Sequence, residues 1–166
     1  MDNARDGGSS LPREAIDLLR ARGDTIAVAE SLTGGMLAAA LTAVPGASAA
    51  FRGGVVSYAT DLKAALLGVP AALLERHGAV HPDVARAMAD GVRSRLGATV
   101  GVATTGVAGP DPQDGQPVGT VYIAVSAGGG TAVRSLALSG GRQQIREATV
   151  ERSLGLLICR LREDDI

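Results

Sequence analysis

One lysine, Lys63, stands among fifteen arginines in this 166-residue chain. Arginine keeps its proton near neutral pH, whereas a desolvated lysine can lose its charge and act as a base. Upstream, Ala29-Glu30-Ser31-Leu32-Thr33-Gly34-Gly35 closes the apolar run 25–29 and opens an Ala- and Leu-rich segment. This order sets the Ser31 hydroxyl at a strand-to-helix turn, beside the free N–H groups of a helix N-terminus. Glycine in such a turn lets backbone come close to a substrate or anion. A serine hydroxyl attacks poorly until a base takes its proton, and a neutral Lys63 would be that base. Tyr58 could relay a proton, hydrogen-bond the lysine or steady a leaving group. The N–H groups of Thr33, Gly34 and Gly35 could face an oxyanion. Together these residues describe nucleophilic acyl transfer. Each also has an ordinary reading: Ser31 and Thr33 as helix caps, Lys63 as a solvated cation, Tyr58 as a half-buried strand residue.

Other chemistries are less well served. His77 and His81 are the only histidines and both sit near a helix boundary, where His77 suits a helix C-terminus. No Gly-x-Ser-x-Gly elbow is present, and two His and one Cys show no metal-ligand spacing. Thr105-Gly106-Val107-Ala108-Gly109-Pro110 matches neither a Walker loop nor Gly-x-Gly-x-x-Gly. It could be a generic phosphate-binding turn or a plain exit from a strand. Arg142 and Arg146, one helical turn apart, could reach a phosphate or simply face solvent.

These groups need a scaffold. Residues 1–10 are rich in Asp, Gly and Ser and read as a disordered tail, and residues 11–163 as a single domain. Helices are expected from Pro12 to Gly23, over 34–44, from Asp61 to Leu67 with Thr60 or Asp61 as cap, over 70–76, over 82–96 and over 143–162. Strands are expected over 25–29, 53–58 and 99–104, each ending in polar residues. Two more, 118–126 and 131–138, flank Gly128-Gly129-Gly130 as an antiparallel hairpin. The polar loop 111–117 reads as exposed and mobile. The sum is a three-layer α/β/α domain with a mixed, mostly parallel five-stranded sheet that ends in that hairpin. In such a sheet, ligands bind beyond the carboxyl ends of the strands, where Ser31, Tyr58, Lys63 and the 104–110 loop would meet.

Composition narrows the surroundings. A formal net charge of −1 gives no electrostatic reason to bind nucleic acid or acidic membranes. No apolar run approaches the ~20 residues that span a bilayer, and the start lacks a secretory signal. Cys159 cannot form an internal disulfide. Lying among Leu156, Leu157, Ile158 and Leu161, it reads as a buried helix thiol, in keeping with a cytoplasmic location.

Four segments occur together and in order: Ala-Glu-Ser-Leu-Thr-Gly-Gly at 29–35, Ser-Tyr-Ala-Thr-Asp-Leu-Lys at 57–63, Thr-Gly-Val-Ala-Gly-Pro at 105–110 and Pro-Val-Gly-Thr-Val at 117–121. Gly-Gly-Arg at 140–142 and Arg146 follow. From about Leu11 to Leu161 the chain resembles the CinA C-terminal domain family, the nicotinamide-nucleotide amidases. The resemblance implies deamidation of nicotinamide mononucleotide (NMN) to nicotinate mononucleotide and ammonia, in pyridine-nucleotide salvage. It also implies a three-layer fold, no metal or other cofactor, and a homodimer. The positions matching the family's catalytic residues are Ser31, Lys63 and Tyr58. On the substrate side it implies Thr105, Gly106, Ala108 and Gly109 of the loop, and Arg142. The chain departs from the usual family pattern at Leu32, where many relatives have cysteine, at Gly141 in Gly-Gly-Arg, and at His81. Many relatives also carry an N-terminal domain; the short stretch before the first expected helix reads as the stand-alone form. Two other functions fit the same residues: a non-catalytic nucleotide-binding or regulatory module linked to competence, and an amidase for another small amide.

Overall fold

The structure, a computed structural model, describes residues 10–163. The expected tail lies, apart from Ser10, outside the described residues. In order, the elements are α1 (Leu11–Arg22), β1 (Ile26–Glu30), α2 (Met36–Thr42), a 3-10 turn (Ala47–Ala49), β2 (Phe51–Val56), α3 (Thr60–Leu67), α4 (Ala71–His77), α5 (Pro82–Arg95), β3 (Val100–Gly106), β4 (Thr120–Ala127), β5 (Gly130–Ala137) and α6 (Arg142–Glu163). The five strands form one sheet in the order β2-β1-β3-β4-β5. β2, β1 and β3 are parallel; β4 runs antiparallel to both β3 and β5, and the β4–β5 connection is a tight hairpin around Gly128 and Gly129.

The two faces of the sheet differ in side-chain size. Because successive strand residues alternate sides, Ile26, Val28, Val100, Val102, Val121, Ile123 and Val125 all meet the core shared with α1, α2 and α6. Ala27, Ala29, Ala103 and Ala124 face the other way, toward α5. Alanine and glycine let α5 come down close: a Cβ on Gly101 would lie 2.2 Å from the Ala89 carbonyl oxygen. Large residues fill one layer and small ones admit a helix in the other, which gives the expected three layers.

The chain leaves β1 toward β2 through α2 on one face, and leaves β2 toward β3 through α3 to α5 on the other. Beyond β3 it turns the opposite way, into β4. The carboxyl ends of β1 and β3 are therefore adjacent while their following loops diverge, which opens a crevice between them.

Three local expectations are corrected. Ala59, in an extended conformation and without a side-chain cap bond, precedes α3, so neither Thr60 nor Asp61 caps it. Cys159 is exposed. In α6 the stripe Leu154, Leu157, Ile158, Leu161 faces the core, and the helical period turns the next position outward despite its apolar neighbours. Neither Ser31 nor Thr33 caps α2, whose N-cap position is Gly35.

Candidate active site

β1 ends in a buried carboxylate, and this determines the turn that follows. The Glu30 side chain accepts hydrogen bonds from the N–H groups of Leu37 (2.8 Å) and Ala38 (3.0 Å) in the first turn of α2. It satisfies two helix donors that would otherwise be available to an anion. Sequence alone does not mark Glu30 as a site residue, because its partners lie in the following helix. Its backbone oxygen accepts from Ser57 N (2.9 Å), while Ser31 N donates to the Thr104 oxygen (3.1 Å). The Ser31 turn is thus latched between the ends of β2 and β3.

Arg146 of α6 holds the turn from the other side. Its Nε donates to the Leu32 oxygen at 2.9 Å and one terminal nitrogen donates to the Thr33 oxygen at 3.4 Å, while the other donates to Gln143 at 2.9 Å. Gly34, at φ +57°, passes directly beneath that guanidinium, and a Cβ there would lie 3.3 Å from it. The guanidinium is committed to backbone carbonyls. Gly34 N donates to the Ser31 oxygen, closing the turn on itself.

Lys63 comes from α3 and is only 1% exposed. Its Nζ lies 3.0 Å from Ser31 Oγ, 2.7 Å from the Ser57 oxygen and 3.4 Å from the Tyr58 oxygen. No carboxylate pairs with it among the described residues. Burial lowers its pKa to about 8 from the ordinary 10.5, with the negative charge of Asp114 opposing in part. Tyr58 reaches the lysine through its carbonyl rather than its ring. Tyr58 as a whole is 57% exposed, and its hydroxyl accepts a 2.9 Å hydrogen bond from Arg142, which also donates to the Gly109 oxygen at 2.7 Å.

A pocket of about 140 Å³ opens above these groups, lined among others by Ser31, Tyr58, Gly106, Ala108, Gly109 and Arg142. Thr33 and Thr105 stand outside the lining. Both are buried: the Thr33 hydroxyl shares a 2.8 Å hydrogen bond with Thr104, and Thr105 donates to the Ala79 oxygen at 2.7 Å. Gly34 and Gly35 are likewise outside it, in the turn behind Ser31. Asp111 and Gln113, in the loop expected to be exposed and mobile, also line the pocket. That loop is exposed but anchored: Asp114 accepts from Ala79 N at 2.9 Å, and Gln113 pairs with Gln116. A larger groove of about 400 Å³ lies between α6 and β5, beside Leu136, Leu156 and Cys159. There the Cys159 thiol donates to Glu163, and that hydrogen bond raises the thiol's pKa above its usual value.

The arrangement is a serine hydroxyl against a buried amine, at a strand-end crevice whose lining carries Arg142 and Asp111. Comparison with known proteins gives it a context. The model of the CinA C-terminal domain matches residues 8–161. A CinA-like protein of Frankia casuarinae is 57% identical over 148 residues, covering 89% of this chain and 34% of that protein. A CinA-like protein of Anaeromyxobacter is 48% identical over 160 residues, covering 95% and 39%. The chain thus spans little more than a third of these curated relatives. Among solved structures, the competence/damage inducible protein CihA from Agrobacterium tumefaciens superposes with a TM-score of 0.87 at 37% identity, covering 96% of this chain and 98% of that one. A competence-damaged protein (CinA) superfamily protein from Klebsiella pneumoniae gives 0.89 at 32% identity, covering 92% and 96%. With its sequence matched over nearly its whole length and its fold shared with these structures, the chain belongs to the CinA C-terminal domain family.

Proposed function

We propose that this chain is an amidohydrolase that deamidates nicotinamide mononucleotide through an acyl-enzyme on Ser31. The observation that carries the reading is the buried Lys63 amine, without an ion pair among the described residues, 3.0 Å from the Ser31 hydroxyl. A neutral amine has two N–H groups and one lone pair. Here two backbone carbonyls accept the N–H groups, leaving the lone pair toward Ser31. On attack, the Ser31 oxygen bonds the amide carbon and its proton passes to Lys63 Nζ. The resulting ammonium returns a proton to the amide nitrogen as the carbon–nitrogen bond breaks, and ammonia leaves. Water then attacks the ester, with Lys63 again taking and returning the proton, and the carboxylate departs.

The pocket is small beside the roughly 300–1,000 Å³ that encloses a drug-sized ligand. It suits a ring carrying the carboxamide, with the rest of the nucleotide lying outward across Tyr58 and toward Arg142. Arg142 is the cation on this rim and is the proposed contact for the phosphate.

The test is ammonia release from NMN by wild type and Ser31→Ala, with EDTA present. Turnover by wild type, falling at least a thousandfold in the variant, is the expected result, of the order that loss of an activated nucleophile costs. Turnover by both would place the nucleophile elsewhere. Turnover by neither would favour another amide or a non-catalytic nucleotide-binding module, which a ligand-dependent rise in Tm would separate.

A further inference from the structure

The pocket lining contains two charged residues of opposite sign, and they are not treated alike. Arg142 is engaged by the Tyr58 hydroxyl and the Gly109 carbonyl. Asp111 has neither an ion pair nor a hydrogen bond among the described residues. It is exposed, yet it lines the same pocket as Ser31, on a loop fastened on both sides. Upstream, the Gly109 oxygen takes the Arg142 bond; downstream, the Asp114 carboxylate takes Ala79 N. A Cβ on Gly78 would lie 2.6 Å from the Asp114 side chain, so the latch closes on bare backbone.

An unpaired carboxylate in a pocket for an anionic nucleotide is unfavourable unless the ligand also carries positive charge nearby. NMN does: its ring nitrogen is quaternary and cationic, two ring positions from the carbon bearing the carboxamide, while its phosphate is at the far end. We propose that Asp111 is a specificity-determining residue that recognises the cationic pyridinium ring, so that the pocket is bipolar, with Arg142 toward the phosphate and Asp111 toward the ring. This inference rests on the amidase reading above. What it adds is the residue that would discriminate an amide on a cationic heteroaromatic ring from one on a neutral ring.

The probe pair is NMN and its reduced dihydro form, which keeps the amide, ribose and phosphate but has an uncharged ring. Ammonia release at pH 8 is compared for wild type, Asp111→Asn and Asp111→Glu. Wild type is expected to favour NMN by tenfold or more in kcat/KM. Asp111→Asn should lose most of that preference, through a higher KM for NMN and little change for the reduced form, and Asp111→Glu should retain it. If wild type turns over NMN and Asp111→Asn leaves the ratio unchanged, the assignment of Asp111 is overturned and the amidase reading stands. The same two ligands are titrated into Ser31→Ala and into Ser31→Ala combined with Asp111→Asn. A preference for NMN that depends on Asp111 in these titrations supports the inference even if turnover is never seen. Equal affinity for the two ligands in Ser31→Ala overturns it.

Discussion

Protonated Lys63 has no lone pair to offer Ser31, so the proposed chemistry carries its own pH signature. With a pKa of about 8, the base is mostly charged at pH 6 and mostly neutral at pH 9. Then kcat/KM is expected to rise about tenfold per pH unit below pH 8 and to level off above it. Lys63→Arg should abolish turnover, by about a thousandfold or more, since arginine cannot lose its proton and its planar fork cannot occupy the same three-partner site. A variant with full activity, or a wild-type profile flat between pH 6 and 9, would remove Lys63 as the base. The residues that made this argument legible were the most unusual ones in the chain: a lone lysine, and a serine before two glycines. What they did not disclose was how each is held. Tyr58 contributes a carbonyl to the lysine and a hydroxyl to Arg142, two roles from one residue. Asp111 is invisible as a site residue until its loop is seen to be pinned by Asp114 on Ala79, 35 positions away in sequence.

At the scale of elements, the site depends on α5 lying unusually close to the layers around it. Gly91 sits inside that helix, where alanine would ordinarily stabilise by roughly 0.5–1 kcal/mol. Here a Cβ would fall 1.9 Å from the Leu67 carbonyl oxygen at the end of α3, the helix that carries Lys63. Gly91→Ala is therefore expected to destabilise by about 1–3 kcal/mol, against its helix propensity, because backbone rather than a flexible side chain must move. Urea unfolding checks the sign; a more stable variant would mean that α3 and α5 can separate freely. The elements themselves were readable from period and punctuation. The five strands and the hairpin lie within a few residues of their expected positions, since alternating Ala and Val runs and the glycine turn encode them locally. Pro12 and Gly23 marked the two ends of α1 as expected, but the side-chain ties around the site were not readable. Glu30 ties β1 to α2, and Arg146 ties α6 to the turn between them. Both contacts are made by side chains whose partners are set by the assembled layers, not by neighbours in the sequence.

For the molecule as a whole, the buried amine that would make the site reactive also lowers its stability. Folding moves Lys63 from water, where its pKa is about 10.5, into a site where it is about 8. The unfolded chain therefore binds more protons than the folded one between these values, and stability must rise with pH across that interval. Below pH 8 the full cost is present, about 3 kcal/mol for a shift of this size. Above about pH 10.5 it has gone. Between pH 7 and 9.5 the contribution of this one group should change by about 2 kcal/mol in favour of the folded state. Other groups titrate in the same range, so the quantity to measure is a difference. Lys63→Met keeps most of the volume and removes the charge, and it should unfold at higher urea than wild type at pH 7. As pH rises to 9.5, wild type should gain on the variant by about 2 kcal/mol. If the gap is constant, Lys63 does not change its protonation on folding. The amine would then be no readier to accept a proton at pH 7 than a lysine in water, and the proposed base would have to be sought elsewhere.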